Sequence, residues 1–288
     1  MSGLIIRHGS PNWWTSPDIW VANPPSTSSS PRVGNPIAGQ AYDVWVRVTN
    51  STSQTIGSET LWWNLQAVWA IPTAGPIPLP TSAANNIELP TIYGISAGQS
   101  VDFKSLAPWT PVYENGGHEC LVAWTYASNI AYPFQPNLEG DAGPGVNWSI
   151  AQHNLGVLPV GSSKRHLIRY AFQVCNGAEE ERNFVVLARQ APLEGIEAFL
   201  PGMPGGRAIL DSPGKVERLG IVASADPSAA ELERAPAELT VKIARRSCRR
   251  FTLVGALPEG NALINVTQSR DERVVGGLSV LAMAEEKR

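Results

Sequence analysis

Tryptophan is missing from the last 140 residues of this chain, and basic side chains are nearly missing from the first 150. All ten tryptophans lie between Trp13 and Trp148, whereas Arg7, Arg32, Arg47 and Lys104 are the only cations up to residue 150, against eighteen beyond it. One hydrophobic core would not divide its composition so sharply. The 288 residues therefore read as two units, each long enough to bury its own core. Charge is also sparse, at 16% of residues where a soluble domain carries about a quarter. Nine acidic residues precede residue 150 and sixteen follow it, a net of −5 and then +2. Neither unit has the strongly basic field of a non-specific nucleic-acid binder, so no nucleic-acid partner is expected.

Cysteine is scarce as well. Cys120, Cys175 and Cys248 are odd in number and too scattered for a disulfide framework. They read as reduced thiols, with Cys120 buried and Cys248 made the most reactive by the arginines around it. The opening residues hold no apolar leader segment, and no run approaches the length of a membrane span, so no membrane insertion is expected. That places the chain in the cytoplasm, with leaderless export or a surface assembly left open. Catalytic signatures are absent too: no glycine-rich phosphate loop, no Gly-x-Ser-x-Gly elbow and no His-Glu-x-x-His. The four histidines, His8, His118, His153 and His166, are dispersed. The expectation is a protein that is not an enzyme, with no catalytic residues, no cofactor and no metal.

What the chain does have is alternation. Tyr42, Val44, Val46 and Val48 sit at period two, with Asp43, Trp45, Arg47 and Thr49 opposite. Leu61, Trp63, Leu65, Ala67 and Trp69 repeat the pattern against Trp62, Asn64, Gln66 and Val68. Ser16–Val21 reads as the first strand. Others are expected near residues 86–89, 100–106, 119–126 and 145–155, separated by proline- and serine-rich loops. A linker is expected at 156–164. Beyond it, Ile168–Val174 and Phe184–Ala188 flank an Asn176-Gly177 turn signal and are expected to pair as a hairpin. Leu239–Ile243, Phe251–Val254, Ala262–Thr267 and Val274–Leu281 complete the set. Ser228–Arg234 carries the only helix-opening signal, a short turn with Glu231 and Glu233 early in it. The fold expected is all-β: two tandem immunoglobulin-like antiparallel β-sandwich domains, a tryptophan-rich one over 1–158 and a second over 159–288.

Several segments carry a resemblance. The first unit runs Ser16-Pro17-Asp18-Ile19-Trp20-Val21, then Gly39-Gln40-Ala41-Tyr42-Asp43-Val44-Trp45-Val46-Arg47-Val48-Thr49-Asn50. Later come Ile95-Ser96-Ala97-Gly98-Gln99-Ser100, Trp109-Thr110-Pro111 and Gln152-His153-Asn154. Over residues 16–156 this resembles bacterial immunoglobulin-like modules of the CARDB type, adhesion or accessory domains of larger proteins in which a "pDl.V" strand, a "y.v.v.V.N" strand and an "aG.s" turn recur. The chain departs from that pattern in its tryptophan load and in lacking the acidic ending. The resemblance implies a sandwich fold and a role in contacts rather than a reaction. The second unit resembles a generic sandwich and no family.

Neighbouring side chains on a strand point to opposite faces, so Trp62 and Trp63 cannot both be core. Alternation sends Trp63 and Trp69 inward and leaves Trp62 and Trp45 outward. With Trp13-Trp14 these form the candidate binding set: Trp13, Trp14, Trp45 and Trp62. An outward indole offers large apolar area and one donor, suited to a protein interface or to a sugar ring, while packing beneath a loop is the plain alternative. His118-Glu119-Cys120 and Glu139-Gly140-Asp141 are too short and splayed to hold a metal. Arg245-Arg246-Ser247-Cys248-Arg249-Arg250 and Glu179-Glu180-Glu181 suit mutual pairing or a solvated strand end. The function expected is a structural or protein-interaction component of a larger, bacterial assembly, with a protein partner or self-assembly. A carbohydrate-binding module is the alternative, and accessory domains of a hydrolase the third reading.

Overall fold

The computed structural model describes residues 3–9, 12–34, 36–56, 63–70, 86–111, 120–127, 150–160, 167–197, 206–224 and 226–284. Eight strands belong to the first unit: β1 (Leu4–Ile5), β2 (Ile19–Ala22), β3 (Asp43–Asn50), β4 (Trp63–Ala70), β5 (Asn86–Ile87), β6 (Ser100–Lys104), β7 (Cys120–Ala127) and β8 (Ile150–His153). In one sheet β3 is central, with β1 and β2 along one edge and β6 along the other. The second sheet runs β5-β4-β7-β8, and every pairing in both is antiparallel. Val44, Val46 and Val48 of β3 meet Leu65 and Ala67 of β4 and Leu121 and Ala123 of β7 between the sheets. This is the period-two valine face, buried as alternation requires. The strand expected first, over 16–21, is β2; it begins three residues later, at Ile19, and β1 precedes it. Ser16 and Asp18 are diverted into side-chain bonds, Ser16 Oγ donating to the Arg7 carbonyl and the Asp18 carboxylate receiving the Arg7 amide and guanidinium.

The second unit holds β9 (Leu155–Val160), β10 (Leu167–Asn176), β11 (Arg182–Ala191), β12 (Glu217–Val222), β13 (Glu238–Ile243), β14 (Ser247–Ala256), β15 (Asn261–Arg270) and β16 (Arg273–Ala284). Its sheets are β10-β14-β12 and β13-β11-β15-β16-β9. All pairings are antiparallel except that of β9 with β16, which is parallel. Phe172, Val174, Phe251 and Leu253 of the first sheet face Phe184, Val186, Ile264, Val266 and Val280 of the second across a closed core. The architecture is thus all-β and antiparallel in packed sheets, as the sequence suggests. Between β12 and β13 lies a one-turn helix α1 (Ala229–Arg234). Ser228 caps it: its hydroxyl accepts the Glu231 amide while Glu231 receives the Ser228 N–H.

Strands β10 and β11 do not form a hairpin. β10 pairs with β14 and β11 with β13 and β15, so the chain crosses between sheets at Asn176. Asn176 holds that crossing, its Nδ2 donating to the carbonyls of Glu180 and Ile243 while Oδ1 accepts the Ala178 amide. The expected linker is, through Val160, the strand β9, which Asn154 alone separates from β8; positions 161–164 lie outside the described residues. Asn154 also breaks the run expected over 145–155 into strands of two different sheets.

Cys175 and Cys248 are not reduced thiols but a disulfide, with sulfurs 2.01 Å apart. They stand directly opposite each other on β10 and β14, a juxtaposition that follows from strand pairing and not from sequence spacing. Cys248 therefore has no thiolate to activate, and the argument for a reducing compartment loses its support. Cys120 is fully buried and takes no part in that disulfide, as expected. The paired-charge expectation is met in part: Arg246 binds Glu179, whereas Glu181 is bound by Lys242, outside the basic run. Among the described residues, no helix is long and apolar enough to cross a membrane.

Candidate binding groove at the junction of the two units

The outer face of β15 and β16 carries Asn265, Gly277 and Ser279, opposite in direction to the core-facing Ile264, Val266, Leu278 and Val280. A polar outer face would ordinarily meet water. Here it meets the segment from Asn12 to Ser16. Thr15 turns that segment, its amide and hydroxyl both donating to the Asn12 carbonyl. The turn sends Trp14 inward and leaves Trp13 half-exposed, the two rings edge-to-face at 5.6 Å and 79°. Trp14, 5% exposed, lies on the backbone of Gly277, where a Cβ would stand 2.5 Å from the indole. Only glycine allows this approach.

A buried hydrogen-bond chain fixes the contact. Trp14 Nε1 donates to Ser279 Oγ at 2.9 Å, Ser279 Oγ donates to Asn265 Oδ1 at 2.8 Å, and Asn265 Nδ2 donates to Asn12 Oδ1 at 2.8 Å. Asn154 closes it from the covalent side, its Nδ2 bonded to the Gly277 carbonyl and its amide to the Trp14 carbonyl. Each link is a buried polar group whose loss would strand its partner, so the junction is specific as well as apolar. Farther along the junction, the Tyr170 hydroxyl is driven well above the usual tyrosine range, mainly by burial, with Cys120 of the first unit adding to the effect.

Beside Trp14 a groove of about 540 Å³ opens. The loop side contributes Asn12 and Trp13; the end of β11 contributes Arg189, Gln190, Ala191 and then Pro192. Asn265, Thr267 and the 46%-exposed Val274 line the remainder. Its size falls within the range of small-ligand sites. Among the described residues no group of three His, Cys, Asp or Glu could hold a metal ion. His118, Glu119, Glu139 and Asp141 lie outside them.

The four candidate tryptophans thus separate. Trp13 and Trp14 are brought together at the groove, one as its wall and the other as its buried support. Trp45 lies on the outer face of β3, as alternation predicts, yet is 8% exposed. It stacks on its cross-strand partner Trp20, with ring centroids 6.0 Å apart and planes 6° from parallel. Arg32 lies 4.5 Å over the other ring, and Trp45 Nε1 donates to Ser26 of the proline-serine loop. Burial, reinforced by Arg47, lowers the Arg32 pKa, whereas hydrogen bonds to Asp18 and Asp102 raise those of Arg7 and Arg47. The outer indoles of this sheet are therefore covered. Trp62 lies outside the described residues, as do the side chains of Trp63 and Trp69. Arg189, Asn12 and Val274 were not singled out by sequence, because nothing in their spacing marks residues brought together from a loop and two distant strands.

No family model matches the chain, and no curated protein matches it. Among solved structures it is similar to red sea bream transglutaminase (11% identity, 93% of this chain on 31% of that one, TM-score 0.24). It is also similar to the CFA/I enterotoxigenic E. coli adhesin CfaE (9% identity, 100% on 92%, TM-score 0.21) and to a chain described as BspA_C_WT (8% identity, 92% on 99%, TM-score 0.21). The chain spans about a third of the transglutaminase. At these scores none of the three assigns a family or an activity.

Proposed function

We propose that this chain is a non-enzymatic structural component of a larger assembly, acting through contacts with other proteins. The observation that carries this reading is the junction. One residue joins β8 to β9, and the buried chain from Trp14 through Ser279 and Asn265 to Asn12 locks the two sandwiches in one orientation. A fixed pair of sandwiches presents surfaces at a set spacing, which suits a scaffold. The disulfide supports an oxidising compartment, outside the cytosol, for this assembly. The first unit is read as kin to the CARDB-type modules, β2, β3 and the turn before β6 carrying residues that resemble them.

Chemical cross-linking of the full chain in its host, followed by mass spectrometry, tests this. The expected result is a discrete cross-linked species containing another protein or a second copy. A chain that stays monomeric and uncross-linked at native abundance, while binding glycans on an array, would replace the reading with a carbohydrate-binding one.

A further inference from the structure

The groove beside Trp14 has an unbalanced hydrogen-bond inventory. Its amide acceptors are all engaged: Gln190 Oε1 receives the Val216 amide, Asn265 Oδ1 receives Ser279, and Asn12 Oδ1 receives Asn265. Donors remain. Asn12 is 5% exposed, yet its Nδ2 has no hydrogen-bond partner. Arg189 is exposed at the rim, and no carboxylate stands among the lining residues. Buried amide donors are seldom left unpaired without a reason, and an exposed guanidinium beside apolar surface is a fork shaped for a carboxylate. The rest of the wall is Trp13, Pro192 and Val274, apolar and rigid.

We infer that this groove binds a protein segment that presents a carboxylate next to an apolar side chain. The carboxylate sits on Arg189, and the apolar side chain lies against Trp13, Pro192 and Val274. A neutral sugar fits less well, because its hydroxyls need acceptors as well as donors and each amide oxygen lining the groove already accepts one bond. This inference rests on the protein-contact reading above and names the chemistry of the contact. It also gives the junction a second role: the turn that docks Trp14 is the same turn that presents Trp13.

The test is selection of a randomised peptide display library on the intact chain, run in parallel on Arg189→Gln and Val274→Asp. Both positions are exposed, so both variants should keep the wild-type melting temperature. Enriched peptides should place Asp or Glu within two residues of Leu, Ile, Val or an aromatic. Their affinity should fall about tenfold or more in Arg189→Gln, be partly restored in Arg189→Lys, and fall similarly in Val274→Asp. Indole emission should change on binding, and Trp13→Phe should remove that change. No enrichment, or enriched peptides that bind Arg189→Gln unchanged, overturns the inference. In the second case the protein-contact reading stands and only the groove is rejected. Binding of uronic-acid glycans that is lost in Arg189→Gln, without peptide binding, overturns both.

Discussion

Each unit stacks two aromatic rings across paired strands, but on opposite sides of its sheet. In the first unit Trp20 and Trp45 face outward, and a loop and an arginine keep water from them. In the second, Phe172 and Phe251 are paired just as directly, 5.7 Å apart, but lie between the two sheets. Register decides which rings meet, and the face decides what must cover them. An indole brings an N–H that a loop hydroxyl can satisfy, so it tolerates a polar lid; a phenyl ring offers no such handle and needs the core. Among the described residues, the Trp20–Trp45 pair is thus covered by a loop and an arginine, while Trp13 is left at the groove.

The comparison breaks most visibly on truncation. Phe172→Ala should cost about 3–5 kcal/mol in urea unfolding, because the closed core cannot collapse onto the cavity. Trp45→Ala should cost less, about 2 kcal/mol, since the proline-serine loop can settle onto Trp20. Equal losses would mean that the outer stack is as much a core as the inner one.

Next in size is the disulfide. Reduction, or the double change Cys175→Ser and Cys248→Ser, should lower stability by about 2–4 kcal/mol, read as the difference in urea midpoint with and without a reductant. An unchanged midpoint would restore the reduced-thiol expectation and the cytosolic placement with it.

Gly277→Ala should cost about 1–3 kcal/mol by pushing Trp14 off the strand. Its signature is cooperativity. Calorimetry should show one transition for the intact chain and two for the variant, the units then melting separately. Two transitions in both would show that the junction does not couple them.

The smallest effect is at α1. The Ser228 hydroxyl and N–H both donate to Glu231 and hold its carboxyl below the usual glutamate range. A depressed folded-state pKa gives stability that is complete above the unfolded value and is lost as pH falls through the folded one. The Ser228 and Glu231 amide resonances should therefore shift on acidification while those of the sheets hold, and Ser228→Ala should remove the shift.

Most strands were legible because half-buried β-structure writes itself as alternation: β3 and β13 stand where period two places them. Partnership was not. Ile168–Val174 and Phe184–Ala188 look like hairpin arms, yet Asn176 sends the chain to the other sheet. Cys175 and Cys248, 73 residues apart, become neighbours only through the β10–β14 register. The compositional shift near residue 156 is real, but a change in composition marks a change of core, not a flexible linker. Trp13 and Trp14 were recognisable as candidates from their size. Arg189, Asn12 and Val274, which give the groove its chemistry, carry no local signal, because convergence in space leaves none.

The parallel pairing of β9 with β16 has a mechanical consequence. Residue 155 stands beside Ser279 and residue 160 beside Ala284, so the strand entering from the first unit and the strand leaving toward the C-terminus run side by side in one direction. Tension pulling the first unit one way and the chain beyond Ala284 the other would slide these strands along each other's length. All the rungs of the ladder would then resist together, instead of opening one at a time like a zipper. A component stretched along this axis would hold until the whole ladder failed at once.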